Sequence, residues 1–278
     1  MDTYEQVALS GQALGRAAAG GARLPLATPW LCDLALRVTI VLLFANFARP
    51  AVSFVMAPVL EAVAGEHALH YPQALLALPG VVLQVGAAIE LVWLPLVTAW
   101  SVMLFAAAYR GEDPHLLGAL RTTLARAPRI LLVGAPLVAL RTFAATLTKA
   151  GIAEIGHRPM HGVAQGALGF ILEILALGAA AIAVGAIALD DARLRELGWR
   201  FDHGFRDSGG ATLLTATVLA GLAAVMRVLL VKWTAGIEDT RPDLIPLLCL
   251  LMVAYTSAGG LLFSGASAIV HSSLPEDD

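Results

Sequence analysis

Long stretches of apolar residues, separated by short polar connections, dominate the pattern along this chain. Six stretches reach the length of about 20 apolar residues that a helix needs to cross a bilayer. They cover roughly 31–57, 80–109, 128–148, 164–189, 211–233 and 244–270. Helices that are apolar on every face belong in a membrane or in the core of a much larger protein. The pattern therefore predicts an all-α, polytopic membrane protein with six transmembrane helices.

The composition supports the same class and excludes others. Apolar types make up 58% of the residues and charged types only 14%, against about 25% charged residues in soluble domains. A net charge of −3 without any Lys/Arg-rich run gives no indication of nucleic-acid binding. The chain has no nucleotide-binding loop and no metalloprotease motif. We therefore predict no cofactor and no catalytic residue, and an enzyme is the less favoured interpretation.

The apolar stretches divide the chain into three regions. Residues 1–30 are expected to form a cytoplasmic or interfacial segment, with a short helix over 3–19 followed by a Gly/Ala/Pro linker. Residues 31–270 are expected to form the six-helix transmembrane domain, and residues 271–278 an acidic cytoplasmic tail.

The distribution of basic residues predicts the orientation. Most of the 18 Lys and Arg residues lie in the N-terminal segment and in the connections 110–129 and 190–210, which share one side of a six-span topology. Cytoplasmic loops carry an excess of Lys and Arg. We therefore predict a multi-pass protein of a bacterial-type inner (plasma) membrane, with both termini cytoplasmic.

Two predicted hairpins have a similar construction. Their connections read "RGEDPHLLGALRTTLARAPR" and "LDDARLRELGWRFDHGFRDSGG". Both open with acidic residues, which suit a helix N-terminus, and continue with leucines and aromatics among arginines, as in an interfacial helix. The hairpins end in "TKAGI" and "WTAGI". The pattern predicts two tandem span–amphipathic helix–span repeats, over about 80–149 and 164–235.

These hairpins also carry a resemblance. The stretches "AAAYRGEDPHLLGALRTTLARAPRILL" and "GAIALDDARLRELGWRFDHGFRDSGGATLL" resemble the repeated units of a poorly characterised group of bacterial multi-pass proteins. Those units are similar to the membrane domain sometimes attached to glycerophosphodiester phosphodiesterases. The resemblance covers about 80–235 and implies an architecture, because the chain leaves no room for the soluble phosphodiesterase barrel.

Five charged residues lie well inside the predicted spans, where each costs about 2.5–3.5 kcal/mol on insertion scales. They are Arg49, Glu90, Arg141, Glu173 and Arg227. Most share a helix face with small residues, which mark close helix contacts in membranes. We therefore expect the charges to point inward, and their order along the two hairpins favours the pairs Glu90–Arg141 and Glu173–Arg227.

Two functions fit this intramembrane charge cluster. In the first, the protein handles lipids or transports a solute through a charged cavity in the outer half of the bilayer, where arginines face an anionic headgroup or solute. In the alternative, the protein is a non-catalytic membrane subunit or scaffold, and its Glu–Arg pairs are purely structural. A partner on the cytoplasmic face would then supply the activity.

Two further sets of residues are candidate contacts. The basic connections place six residues where membrane lipids or a partner subunit would touch them: Arg121, Arg126, Arg129, Trp199, Arg200 and Arg206. Two histidine pairs fall on predicted outer loops: His67 with His70, and His157 with His161. Four imidazoles could ligate zinc or copper if these loops met. Short histidine pairs are common by chance, so no metal is predicted.

Overall fold

In a computed structural model, the chain folds into α-helices joined by short connections. The structure describes residues 2–46, 49–238 and 241–273, without the side chains at 50–51, 201, 203–204, 207, 227, 230–231, 234–235 and 238. The α-helices are α1 Thr3–Gly21, α2 Leu24–Ala45, α3 Pro50–Ala64, α4 Gln73–Tyr109, α5 Leu116–Glu154, α6 Pro159–Asp190, α7 Leu197–Glu238 and α8 Ile245–Ser272. Short 3-10 helices occupy Glu66–Leu69, Leu194–Glu196 and Pro242–Leu244. These described residues contain no β-strand, which confirms the all-α prediction.

Six helices are long and apolar enough to cross a membrane, as the sequence predicts. The spans are Leu24–Ala45, Gln73–Tyr109, Leu116–Glu154, Pro159–Asp190, Ser208–Met226 and Pro242–Ser272. Large apolar side chains near the middle of these helices are exposed, among them Phe143, Leu168 and Leu222. Soluble proteins rarely expose extensive apolar surfaces, whereas a bilayer covers them. The fold is therefore compatible with an integral membrane protein.

The first predicted span, 31–57, has the wrong bounds. The helix α2 already begins at Leu24 and ends at Ala45, and α3 is a separate helix of 15 residues. Arg49 is the N-cap of α3 in an extended conformation, with ψ 132°. The cause is Pro50, which starts a helix well but disfavours the helical conformation at the residue before it.

The predicted Gly/Ala/Pro linker before the first span is also wrong. The helix α1 extends to Gly21, so only a short turn separates it from α2, which contains Pro29 in its interior. Asp2 and Glu5 form a capping box that fixes the start of α1. Small residues then seat α1 against other helices: Ala13 and Ala17 are completely buried in a cluster with residues of α7 and α8.

The amphipathic connections are helical as predicted, but they are not separate helices. The helix α5 runs for 39 residues and α7 for 42 residues without a break. At about 1.5 Å per residue these helices exceed the hydrocarbon thickness of about 30 Å. Their N-terminal halves, which carry arginines, are therefore continuous with the spans. The tandem repeat itself stays a prediction.

The chain forms two compact units. The first comprises Met1–Trp30, Glu90–Ala224 and Gly259–Asp278, and the second comprises Leu31–Ile89 and Val225–Ala258. The largest core of the first unit contains Val102, Phe105, Ile130 and Ile187. The core of the second unit contains Val41, Leu60, Leu78, Val81, Ile245 and Cys249. Cys249 is buried in this core, whereas Cys32 is exposed.

Glycines bring α5 and α6 into close contact within the first unit. A Cβ atom added at Gly169 of α6 would lie 2.6 Å from the backbone nitrogen of Thr148 in α5. A Cβ atom added at Gly151 of α5 would overlap the backbone of Gly166 in α6. Lipid provides no hydrophobic driving force between helices, so van der Waals packing has to hold them together. Small residues at a crossing allow this packing because they let the two backbones approach closely.

This contact predicts opposite effects for two neighbouring glycines of α6. We expect Gly169→Ala to destabilise the protein by about 1–3 kcal/mol, because the new methyl group overlaps a backbone that cannot move freely. Gly166→Ala is the matched control, because a Cβ at Gly166 itself has no atom within 4 Å. The control should be neutral or slightly stabilising, since alanine favours helices. Thermal unfolding in detergent measures both, and equal midpoints would contradict the proposed packing.

Candidate functional site

The close α5–α6 contact leads directly to a buried ion pair. Glu173 of α6, one turn beyond Gly169, is 0% exposed. Its Oε1 atom lies 3.9 Å from Nε of Arg141, which is one turn before Ala144 in α5 and about one quarter exposed. The pair Arg141–Glu173 was not predicted, because it joins the two supposed repeats instead of lying within one. It places opposite charges together near the middle of α6.

The packing of α4 against α5 brings a third predicted charge to the same level. A Cβ atom at Gly134 would lie 2.6 Å from Cβ of Pro95, and Val138 shares a core cluster with Trp93. Consecutive helices joined by a short connection run antiparallel. Moving five residues back from Pro95 reaches Glu90, and moving a similar distance forward from Gly134 approaches Arg141. Glu90 and Arg141 therefore occupy the same level of the first unit.

The remaining two predicted charges lie outside the first unit. Arg49 and Arg227 belong to the second unit. Arg49 is exposed at the start of α3, so its placement well inside a span was wrong. The side chain of Arg227 lies outside the described residues, and the pair Glu173–Arg227 stays a prediction.

A second buried carboxylate was missed by the sequence analysis. Asp33 of α2 is 0% exposed, and its Oδ2 atom accepts hydrogen bonds from Nε of Arg37, at 2.8 Å, and from Oγ of Ser257, at 2.7 Å. The spacing of Asp33 and Arg37, four residues apart, places both on one helix face. The stretch "DLALR" inside an apolar run is the signal that could have revealed this pair.

Arginines of α5 hold the C-terminus of α6. Nη1 of Arg126 donates to the carbonyl oxygens of Ile187 and Ala188, at 3.1 and 2.6 Å. Nη1 of Arg129 donates to the carbonyl oxygens of Asp191 and Ala192, at 3.1 and 3.2 Å. A helix leaves its last carbonyls without helical partners, and a cation there also complements the helix dipole. These two arginines therefore supply hydrogen-bond donors to carbonyl oxygens at the C-terminus of α6.

Two aspartates at the C-terminus of α6 form ion pairs with the surrounding cations. Oδ1 of Asp191 lies 2.6 Å from Nη2 of Arg129 and 3.1 Å from Nε of Arg126. The hydrogen bond from Arg129, followed by the charge of Arg126, lowers the pKa of the Asp191 carboxyl. Oδ2 of Asp190 accepts from Nη1 of Arg200 and lies 3.1 Å from Nε2 of His271. We call this group the basic end of the first unit: Arg126, Arg129, Asp190, Asp191, Arg200 and His271.

The predicted lipid-contact residues thus divide into two groups. Arg126, Arg129 and Arg200 make the internal ion pairs of the basic end. Arg121 and Trp199 are exposed. Arg206 is exposed and pairs with Asp202 on its own helix, at 2.9 Å. Their contact with lipid or with a partner stays a prediction.

An apolar groove lies between the basic end and the level of Glu90, Arg141 and Glu173, which we call the charge level. It has a volume of about 390 Å³ and is formed by α5, α6 and the start of α7. Leu132 and Pro136 line it from α5, Ala179 and Ala183 from α6, and Arg200 from α7. The sequence predicted a cavity lined by the intramembrane charges in the outer half of the bilayer, and this groove differs from it in chemistry.

The histidine pairs stay apart from any cluster of ligands. His67, His70, His157 and His161 are all exposed. Across the described residues there is no group of three or more His, Cys, Asp or Glu side chains suited to hold a metal ion. His157 and His161 flank Pro159, the first residue of α6, which starts the helix between them.

Comparisons with known proteins add no family to this description. No protein-family model, no curated protein and no solved structure matches the chain. The intramembrane charges, the groove and the basic end are therefore the features of the molecule that bear on its function.

The Arg141–Glu173 pair makes a prediction about stability. Removing one partner of a fully buried ion pair costs about 3–5 kcal/mol. We expect Arg141→Ala to lower the free energy of unfolding by less than this, because Arg141 is partly exposed. The double variant Arg141→Ala/Glu173→Gln should recover part of this loss, since it also removes the buried negative charge that Arg141 faces. Arg206→Ala, at an exposed pair, is the control and should change stability little. Unfolding midpoints in detergent test this, and strictly additive effects would show that the two side chains are not coupled.

Proposed function

We propose that the protein is a lipid-handling integral membrane protein whose groove between α5, α6 and α7 accommodates an acyl chain. The observation that carries the proposal is the groove itself. Its walls on α5 and α6 lie within helices that are long and apolar enough to span a bilayer. In that position acyl chains are the surrounding solvent, and they have direct access to an open groove.

The chemistry of the walls supports an apolar occupant. The lining side chains named above are leucine, proline and alanine, and Arg200 supplies a charge at the end where α7 begins. A polar solute bound along such walls would lose its hydrogen bonds to water without replacement. The volume falls within the range of about 300–1,000 Å³ that is typical of ligand sites.

The groove exists because of alanines on one face of α6. Ala179, Ala183 and Ala186 follow at intervals of four and three residues, so they share a face. Their methyl groups leave space between the larger side chains of α5 and the start of α7. The sequence of α6 therefore encodes the groove, just as its glycines encode the contact with α5.

The intramembrane charges give less support to transport of a free solute. Arg141 lies beside Glu173, so the cation nearest to the middle of the first unit already faces a carboxylate. An arginine that receives an anionic solute would have to give up this partner in a region of low dielectric constant, where the exchange is costly. The cost of separating Arg141 from Glu173 therefore favours lipid handling over transport of a free solute.

A second candidate, the non-catalytic subunit or scaffold, is favoured by a separate observation. Glu173 and Asp33, which are completely buried among the side chains that the structure describes, both face an arginine of their own unit. Such pairs suffice to hold a helix bundle together without any ligand. The two candidates differ in whether the groove is occupied by lipid.

Filling the groove should remove a bound lipid. We expect Ala179→Trp to abolish retention of one phospholipid per protein, measured by native mass spectrometry after mild detergent extraction. Ala167→Trp is the matched control, because Ala167 is an exposed alanine on the same helix outside the groove. Equal lipid retention in the two variants, or no retention by the original protein, would contradict lipid handling and leave the scaffold as the better candidate.

A further inference from the structure

The groove has one charged end, and the surroundings of that end decide which lipid it suits. Arg200 lines the groove where α7 begins. Arg126 and Arg129 form ion pairs with Asp191, which follows Asp190 in the chain. The charge of Arg193 also lowers the pKa of Asp191. With Arg193, four arginines meet three carboxylates here, those of Asp190, Asp191 and Glu196, which accepts from the backbone of Arg193, so the net charge is positive.

The pairing of Asp190 allows Arg200 to exchange partners. Oδ2 of Asp190 interacts with both Arg200 and His271. An imidazole N–H at Nε2 donates a hydrogen bond to a carboxylate whether or not the ring carries a charge. If Arg200 turned towards a ligand, Asp190 would keep a hydrogen bond from α8. Arg200 therefore differs from Arg141, whose departure would leave a carboxylate in the middle of the bundle without this cation.

Arg200 also has the freedom to make the exchange. Its side chain is 31% exposed, and that of Asp190 is 32% exposed. Because α6 is long and apolar enough to span a bilayer, we expect the basic end, at its C-terminus, to reach the level of the phospholipid headgroups. An acyl chain in the groove would bring its headgroup to this level. Arginine forms planar, charge-assisted hydrogen bonds with phosphate oxygens.

We propose that the groove selects phospholipids with a net anionic headgroup, whose phosphate binds Arg200 while His271 keeps Asp190 paired. This inference rests on the proposed lipid-handling function and adds the class of lipid to it. No bond is made or broken, since the step exchanges one ion-pair partner for another. The excess positive charge distinguishes an anionic lipid from a zwitterionic lipid with the same chains.

The experiment uses the full chain purified in detergent and measures its thermal midpoint against increasing lipid. The probes are dioleoyl phosphatidylglycerol, dioleoyl phosphatidylcholine and glycerol phosphate, which carries the anionic group without chains. A lipid that binds only the folded protein raises the midpoint in proportion to its affinity. We expect phosphatidylglycerol to bind about tenfold more tightly than phosphatidylcholine, because both lipids carry the phosphate but the choline cation of phosphatidylcholine is repelled by the excess positive charge at this end. Glycerol phosphate should have no effect.

Two substitutions locate the selectivity. Arg200→Gln should make the two lipids bind equally, and Arg200→Lys should keep part of the preference because it keeps the charge. Arg195→Gln is the matched control, since Arg195 is an exposed arginine of the same connection that does not line the groove. It should leave the preference intact. Binding of phosphatidylcholine by Arg200→Gln shows that this variant remains folded.

The outcomes separate the two proposals. If both lipids stabilise the original protein equally and Ala179→Trp abolishes both effects, headgroup selection is wrong and lipid handling stands. If neither lipid stabilises the protein, both proposals are wrong. If glycerol phosphate alone stabilises it as strongly as phosphatidylglycerol, the site recognises a free phosphate and the assignment to a lipid is overturned. An unchanged preference in Arg200→Gln would overturn the role of Arg200.

Discussion

A carboxylate inside an apolar helix must find its partners within the protein, and this constraint organises both units. Hydrocarbon supplies no hydrogen bonds, so Glu173 and Asp33 are tolerable only where other helical side chains reach them. Arg141 supplies an opposite charge to Glu173 from the neighbouring helix, at 3.9 Å. Arg37 does so for Asp33 from the next turn, and Ser257 donates a hydrogen bond to Asp33 from α8. Each buried charge thereby fixes the register of two helices, which apolar contacts alone specify weakly.

Small residues make this pairing possible, because Arg141 and Glu173 can meet only if α5 and α6 approach closely. Gly169 precedes Glu173 by one turn, and its contact with the backbone of α5 sets the spacing between the helices. Farther along α6, alanines replace glycines, and the space beside them becomes the groove. One helix thus combines close packing, a buried charge and an open apolar surface in consecutive turns. The order of small residues along α6 determines where each feature lies.

The sequence predicted the helical class, the six spans and the inward position of Glu173, because hydrophobic length and small-residue faces are local properties. The sequence-based predictions were wrong where the packing between helices decides which residues meet. The supposed repeat favoured partners within a hairpin, whereas α5 packs on α6 and gives Arg141 to Glu173. Arg49 was misplaced because a span was continued through the Arg–Pro step that ends it. Asp33 was overlooked, although its spacing to Arg37 is visible in the sequence. The groove was not predictable, since it depends on how three helices diverge.

The arginines of the first unit show how identical side chains acquire different roles from their surroundings. Arg126 and Arg129 donate to carbonyl oxygens that α6 cannot satisfy itself, so their release would expose a helix end as well as a carboxylate. Arg141 faces a completely buried partner, which makes its release costly. Arg200 faces an aspartate that also has His271 and is itself partly exposed. Among these four arginines, Arg200 can therefore leave its partner with the smallest loss of stability. It is also the one that lines the groove. A residue that can leave its partner at low cost and stands beside a binding surface is where a membrane protein can recognise a ligand without destabilising its own fold.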